Sequence, residues 1–190
     1  MPSAEYDLRY LRAGLELLEK YLLSQDLYWP IGVKTPAGEP PYPPLTLGSL
    51  KLSQLRARAR VKTSEQQVEL ARLDEQIDAV RSRWRAAWSQ KAAAEFRSRL
   101  NLWRNFIEDY REQPAANIDR YSYEVGRRVQ LYLLAQDMDD IPQADANLLN
   151  GLDKYLAAVF LSGPFVWEAE LAPSFPPDPY WYLYGLPRRE

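Results

Sequence analysis

The 190-residue chain contains no cysteine and no histidine. Without cysteine there is no disulfide, no thiolate nucleophile and no zinc site built on thiolates. Without histidine the usual general base near neutral pH and the commonest transition-metal ligand are missing. Ser-His-Asp and Cys-His mechanisms, histidine-ligated zinc and histidine-held haem are excluded together. Long apolar runs are lacking too. The longest, YLAAVFL from Tyr155 to Leu161, falls far short of the ~20 residues that cross a bilayer. The N-terminal MPSAEYDLRY is charged and has no apolar stretch of the kind that directs secretion, so a cytoplasmic location is expected. No Walker-type, dinucleotide-binding or G-x-S-x-G pattern occurs.

What is present suits a folded chain. Apolar residues make up 46 % and charged residues 26 %, enough apolar material to form a core without covalent staples. Aromatic residues are plentiful, and 13 of them are tyrosines, which favour half-buried positions with one wet end. A single helical domain over residues 1–190 is expected.

The apolar periodicity is helical. Leu8, Leu11, Leu15, Leu18 and Leu22 recur at steps of three and four, which predicts a helix over residues 3–24 with Ser3 as its N-cap. Between Gly48 and Pro114 there is neither glycine nor proline, and strong helix formers dominate. Thr63 and Ser64, followed three residues on by Gln66 and Gln67, read as a fresh helix start. The expectation is a short helix near residues 46–61 and a very long one over about 64–112, ~70 Å in length. Its apolar stripe swivels midway. Leu70, Leu73, Ile77, Val80 and Trp84 follow a heptad seam, whereas Trp84, Trp88, Ala92, Phe96 and Leu100 step by four. Further helices are expected over about 117–136 and 143–161, the latter stopped by Ser162-Gly163-Pro164.

Two segments do not read as helix. Residues 28–48 and 163–190 each hold six of the 15 prolines, interleaved with aromatics. Stiff aromatic straps that wrap a bundle explain both, because proline lowers the entropy that folding must overcome. Trp29, Tyr42, Trp181 and Tyr184 would supply the apolar area. The alternatives are that the straps border a ligand or enzyme pocket, or that PPYPP and PPDPY present a polyproline surface.

Charge is unevenly spread. Lys51 to Arg104 holds 13 Lys and Arg against 6 Asp and Glu, in a chain of net charge −2. Arg56, Arg58, Arg60, Arg81, Arg83 and Arg85 are the candidate nucleic-acid contacts, with Trp84 and Trp88 as stacking platforms. They form no single stripe: Arg81 and Arg85 flank the seam and Arg83 lies opposite it. Solvated helix faces and internal ion pairs are the favoured account of them. Asp137, Asp139, Asp140 and Asp145 lack the spacing and glycine of a calcium loop and read as helix-start acids, so no metal or cofactor is expected. Glu95, and Glu124 beside Arg127 and Arg128, are carboxylates without a catalytic motif.

The fold class predicted is therefore all-α: about five bundled helices dominated by one very long helix, with two proline-aromatic straps. The function predicted is non-enzymatic protein–protein interaction or scaffolding. Residues 46–85 would form a protruding, coiled-coil-like arm that meets a partner or pairs as a homodimer through Leu70, Leu73, Ile77, Val80 and Trp84. Nucleic-acid binding through residues 51–104 is the rival reading.

Overall fold

A computed structural model of the chain describes residues 2–190. Among the described residues there are seven α-helices and one two-stranded sheet, so the chain is mostly helical. It divides into two compact units, Met1–Glu95 and Phe96–Glu190. No helix among the described residues is long and apolar enough to cross a membrane.

The first unit is built from α1 (Ala4–Leu23), α2 (Leu47–Arg60), α3 (Ser64–Arg83) and the start of α4 (Arg85–Glu112). The Ser3 hydroxyl caps α1 by accepting the Tyr6 N–H at 3.2 Å. At α3 a full capping box forms, with Thr63 and Gln66 each satisfying the other's backbone N–H. Helix α1 packs on α2 and on α3. The first contact is close: a Cβ on Gly14 would stand 3.1 Å from Leu50 Cδ1. Buried between the helices, Arg60 donates to the Asp7 carboxylate at 2.8 Å, with side chains only 3 % and 2 % exposed. Two residues of α4 fasten other elements. The buried Glu95 carboxylate accepts the Gly48 N–H at 2.9 Å in the first turn of α2, where helix N–H groups lack partners. The Lys91 ammonium donates to the carbonyls of Ser24 and Asp26, both at 2.8 Å, just past the end of α1, and lies 4.6 Å from the Tyr21 ring. Burial pulls the Lys91 pKa below the ordinary lysine value, against the pull of Asp26.

One expectation for residues 64–112 is corrected here. The long helix over 64–112 is two helices, because Trp84 adopts φ −112°, ψ 37°. The ladder survives on either side: the Trp84 N–H donates to Val80 and the Trp88 N–H donates to Trp84. The break falls where the apolar stripe has to change sides. Residues 46–85, expected as an arm, hold α2 and α3. Leu70, Leu73 and Ile77 are the buried positions of α3, and α3 packs on α1 and α2 of its own chain.

The second unit holds the rest of α4, then α5 (Pro114–Asn117), a 3₁₀ turn (Ile118–Arg120), α6 (Tyr121–Ala135) and α7 (Gln143–Val159). Its core gathers Phe96, Leu100, Trp103, Phe106 and Tyr110 of α4 with Tyr121, Val125 and Val129 of α6 and Leu156 of α7. Arg128 ties α6 to α7 by donating through Nε and Nη2 to both Asp153 oxygens, each at 2.8 Å. Within the helical fold the C-terminal strap contains β1 (Phe160–Phe165) and β2 (Tyr184–Pro187), a small antiparallel pair. Aromatic hydroxyls and an indole fix the strap by donating to carbonyls: Tyr110 to Arg188 and Tyr121 to Tyr182 at 2.6 Å, Trp167 to Ser122 at 2.8 Å. Phe175 stands edge-on to both Trp167 and Tyr180, with ring centroids 5.2 and 5.3 Å apart.

Burial raises the hydroxyl pKa of this tyrosine set. Tyr180 is pushed up to about 12, chiefly by desolvation. Desolvation also lifts Tyr121 and Tyr182 well above the ordinary range, with Arg128 opposing it. An unfolded tyrosine loses its proton near pH 10, whereas these keep theirs in the folded chain. Stability is intact below pH 10 and falls above it, because the unfolded state then binds fewer protons. Each withheld proton steepens the fall by ~1.4 kcal/mol per pH unit. Melting curves at pH 9, 10 and 11 are expected to show a sharp loss of melting temperature only in the last step. The share of the tyrosinate absorbance at 295 nm that comes from Tyr121, Tyr180 and Tyr182 is expected to appear with unfolding rather than before it. Titration of these tyrosines at pH 10 in the folded chain would contradict this.

Candidate binding groove

The groove is set by the register of β1 and β2. Phe160 stands opposite Pro187, Leu161 opposite Leu186, and Ser162 opposite Gly185; the register then slips before Phe165 meets Tyr184. Side chains alternate across a strand. Phe160 turns toward the unit's core, where its ring lies 5.3 Å from Trp181 and 6.3 Å from Tyr121. Leu161 and Leu186 take the other face and remain 54 % and 45 % exposed as a cross-strand pair.

Glycine shapes the floor. Gly185 has φ +142°, and a Cβ there would sit 2.1 Å from the Leu161 carbonyl oxygen, so no side chain fits. Gly163 faces it, with a built Cβ 3.6 Å from Gly185 Cα. The result is a groove of about 710 Å³. Leu161, Phe165, Val166, Leu186 and Pro187 line the strap side, with Ile118 and Ser122 across from them. Charge is confined to Asp119 and Arg189, which pair with each other at 3.3 Å and are exposed. The arrangement is suited to taking up apolar groups: its size matches the 300–1,000 Å³ typical of ligand sites, and its charged groups are already partnered.

The residues singled out from the sequence lie elsewhere. Leu70, Leu73 and Ile77 are buried inside the first unit, while Val80 and Trp84 are half-buried. Of the arginines, Arg60 is buried on Asp7, Arg58 pairs with Asp74 at 2.9 Å, Arg81 with Asp78 at 3.8 Å, and Arg83 with Glu19 at 3.4 Å. Arg56 is half-buried, and Arg85 is exposed. Glu95 is spent on the α2 N-terminus, and Glu124 pairs with Arg120 and Arg127. Asp145 pairs with Arg97 at 3.7 Å, and among the described residues no group of three or more His, Cys, Asp or Glu is placed to hold a metal ion.

The groove itself was missed. Its signals were two short runs, FLSGPF and YGLP, each mixing glycine with large apolar residues, and Ser162-Gly163-Pro164 read only as a helix stop. Comparison with protein-family models, with curated proteins and with solved structures finds no match to this chain.

Proposed function

We propose that the chain is a non-enzymatic interaction protein whose second unit holds an apolar segment of a partner protein in the groove beside β1 and β2. The observation that carries this reading is the exposed Leu161–Leu186 pair bordering a glycine-floored groove of about 710 Å³. Clustered apolar exposure of this kind marks contact sites, whereas singly scattered apolar residues do not. Glycine in a strand permits close approach of another backbone. Both leucines line the groove yet stay about half exposed, so its apolar wall is open to solvent, which favours a chain laid along it over an enclosed small molecule. The groove takes the role expected of the α3 seam, whose leucines are occupied within their own unit.

Photo-crosslinking inside the source cells tests this. With p-benzoylphenylalanine at position 161, one protein adduct of defined mass is expected, and Leu186→Asp should abolish it. The same probe at Val68, exposed on α3, is the control. Adducts as abundant from position 68 would overturn the proposal. So would an apolar small molecule co-purifying with the chain and released by Leu161→Asp.

A further inference from the structure

The segment Glu39–Leu45 reads EPPYPPL. Proline holds φ near −65°, and a residue that precedes proline is driven out of the α region. Glu39, Pro40, Tyr42 and Pro43 all precede prolines, so the sequence favours the extended polyproline-II form, with three residues per turn. Its burial has that same period. Glu39 and Tyr42 are half-buried and Leu45 is fully buried, while Pro40, Pro41, Pro43 and Pro44 are all exposed. One edge of the helix faces the protein and the other two face solvent.

The inner edge is firmly held. The Tyr42 ring lies 4.8 Å from Tyr6 and 5.8 Å from Tyr10 of α1. Those two tyrosines also donate their hydroxyls to the carbonyls of Pro41 and Pro44, at 3.3 and 3.2 Å. Glu39 accepts from Arg9 at 2.6 Å. Leu45 exchanges both backbone hydrogen bonds with Trp29. None of these contacts uses a proline ring. Packing explains Tyr42 and Leu45, and leaves four exposed prolines without a role in the core.

We infer that this strap is a polyproline-II ligand, displayed in fixed register for a partner protein with an aromatic-lined, proline-reading groove. Such grooves take prolines spaced i, i+3 along one edge. Here one outer edge carries Pro40 and Pro43, and the other carries Pro41 and Pro44. A free proline-rich peptide loses freedom on docking, whereas this run has already lost it on folding against α1. The surface lies in the first unit and is independent of the groove beside β1 and β2.

Titration of the full chain into isotopically labelled SH3, WW and EVH1 domains tests the inference. At least one domain is expected to show shifts confined to its aromatic groove. Replacing Pro40, Pro41, Pro43 and Pro44 together by alanine should weaken that binding by about tenfold or more, because the i, i+3 pairs are what such a groove reads. The variant should still fold, since the inner edge is untouched, but with a lowered melting temperature, because alanine returns freedom to the unfolded strap. The free heptapeptide EPPYPPL should bind the same domain more weakly than the full chain does. Failure of all three domains to bind the parent, or equal binding by the four-alanine variant, overturns the proposal. A heptapeptide as tight as the full chain removes the claim of fixed register.

Discussion

Leu73→Asp together with Ile77→Asp is expected to unfold the first unit. Both parent side chains are nearly inaccessible, at 5 % and 2 % exposure, and α3 packs on α1 and α2. Each substitution forfeits ~1.5–3 kcal/mol of apolar burial. Each also places a carboxylate in an apolar seam, which costs several kcal/mol more. The total exceeds much of the ~5–15 kcal/mol that holds a typical domain together. Circular dichroism at 222 nm should fall by a large fraction, and proteolysis should open residues 1–95 ahead of 96–190. Had these residues faced a second copy of the chain, the variant would stay helical and only its mass would change. A folded, helical monomer would contradict the packing of α3 described above.

Arg60→Met carries the second-largest expected effect. It removes the guanidinium and leaves the Asp7 carboxylate buried without that partner. Breaking a buried pair on one side costs ~3–5 kcal/mol, because the remaining charge keeps its desolvation penalty. The guanidine hydrochloride midpoint should drop accordingly. Adding Asp7→Leu should restore much of the loss, since a matched apolar pair avoids that penalty. If Arg60→Met unfolds at the parental midpoint, the pair contributes nothing to stability.

Local chemistry was well marked in the sequence. Ser3 and Thr63 cap helices where the spacing of their partners places them, and the leucine stripe of α1 turns inward at Leu8, Leu11, Leu18 and Leu22. What covers an apolar face was not marked. The repeat at Leu70, Leu73 and Ile77 reads identically whether a second copy or α1 lies against it. The interruption at Trp84 had no glycine or proline to announce it. Arg60 looked like one more solvated arginine because its partner, Asp7, is 53 residues away in sequence. The groove depends on pairing Leu161 with Leu186 across a long connection, and neither four-residue YGLP nor FLSGPF declares such a pairing alone. Long-range pairing leaves little trace in short windows, whereas caps and stripes are local.

The first strap had a partial signature. Its prolines and aromatics marked it as stiff and extended, and Trp29 and Leu45 join its two ends. The direction of Tyr42 was not legible, since it depends on Tyr6 and Tyr10 presenting rings and hydroxyls from α1.

Lys91 and Glu95 stand four residues apart on α4, a rise of ~6 Å. One grips Ser24 and Asp26, the other Gly48, so both feet of the intervening loop stand on a single helical turn. The span of that loop is thereby independent of its contour length. At its bend, where Glu39 N–H reaches back to Pro36 and Gly38 takes φ +88°, Pro36, Ala37 and Gly38 are exposed. Added residues there enlarge a closed ring without moving its anchors, at ~0.6 kcal/mol for each doubling. Among close variants of this chain, differences in length have their least costly place at that bend.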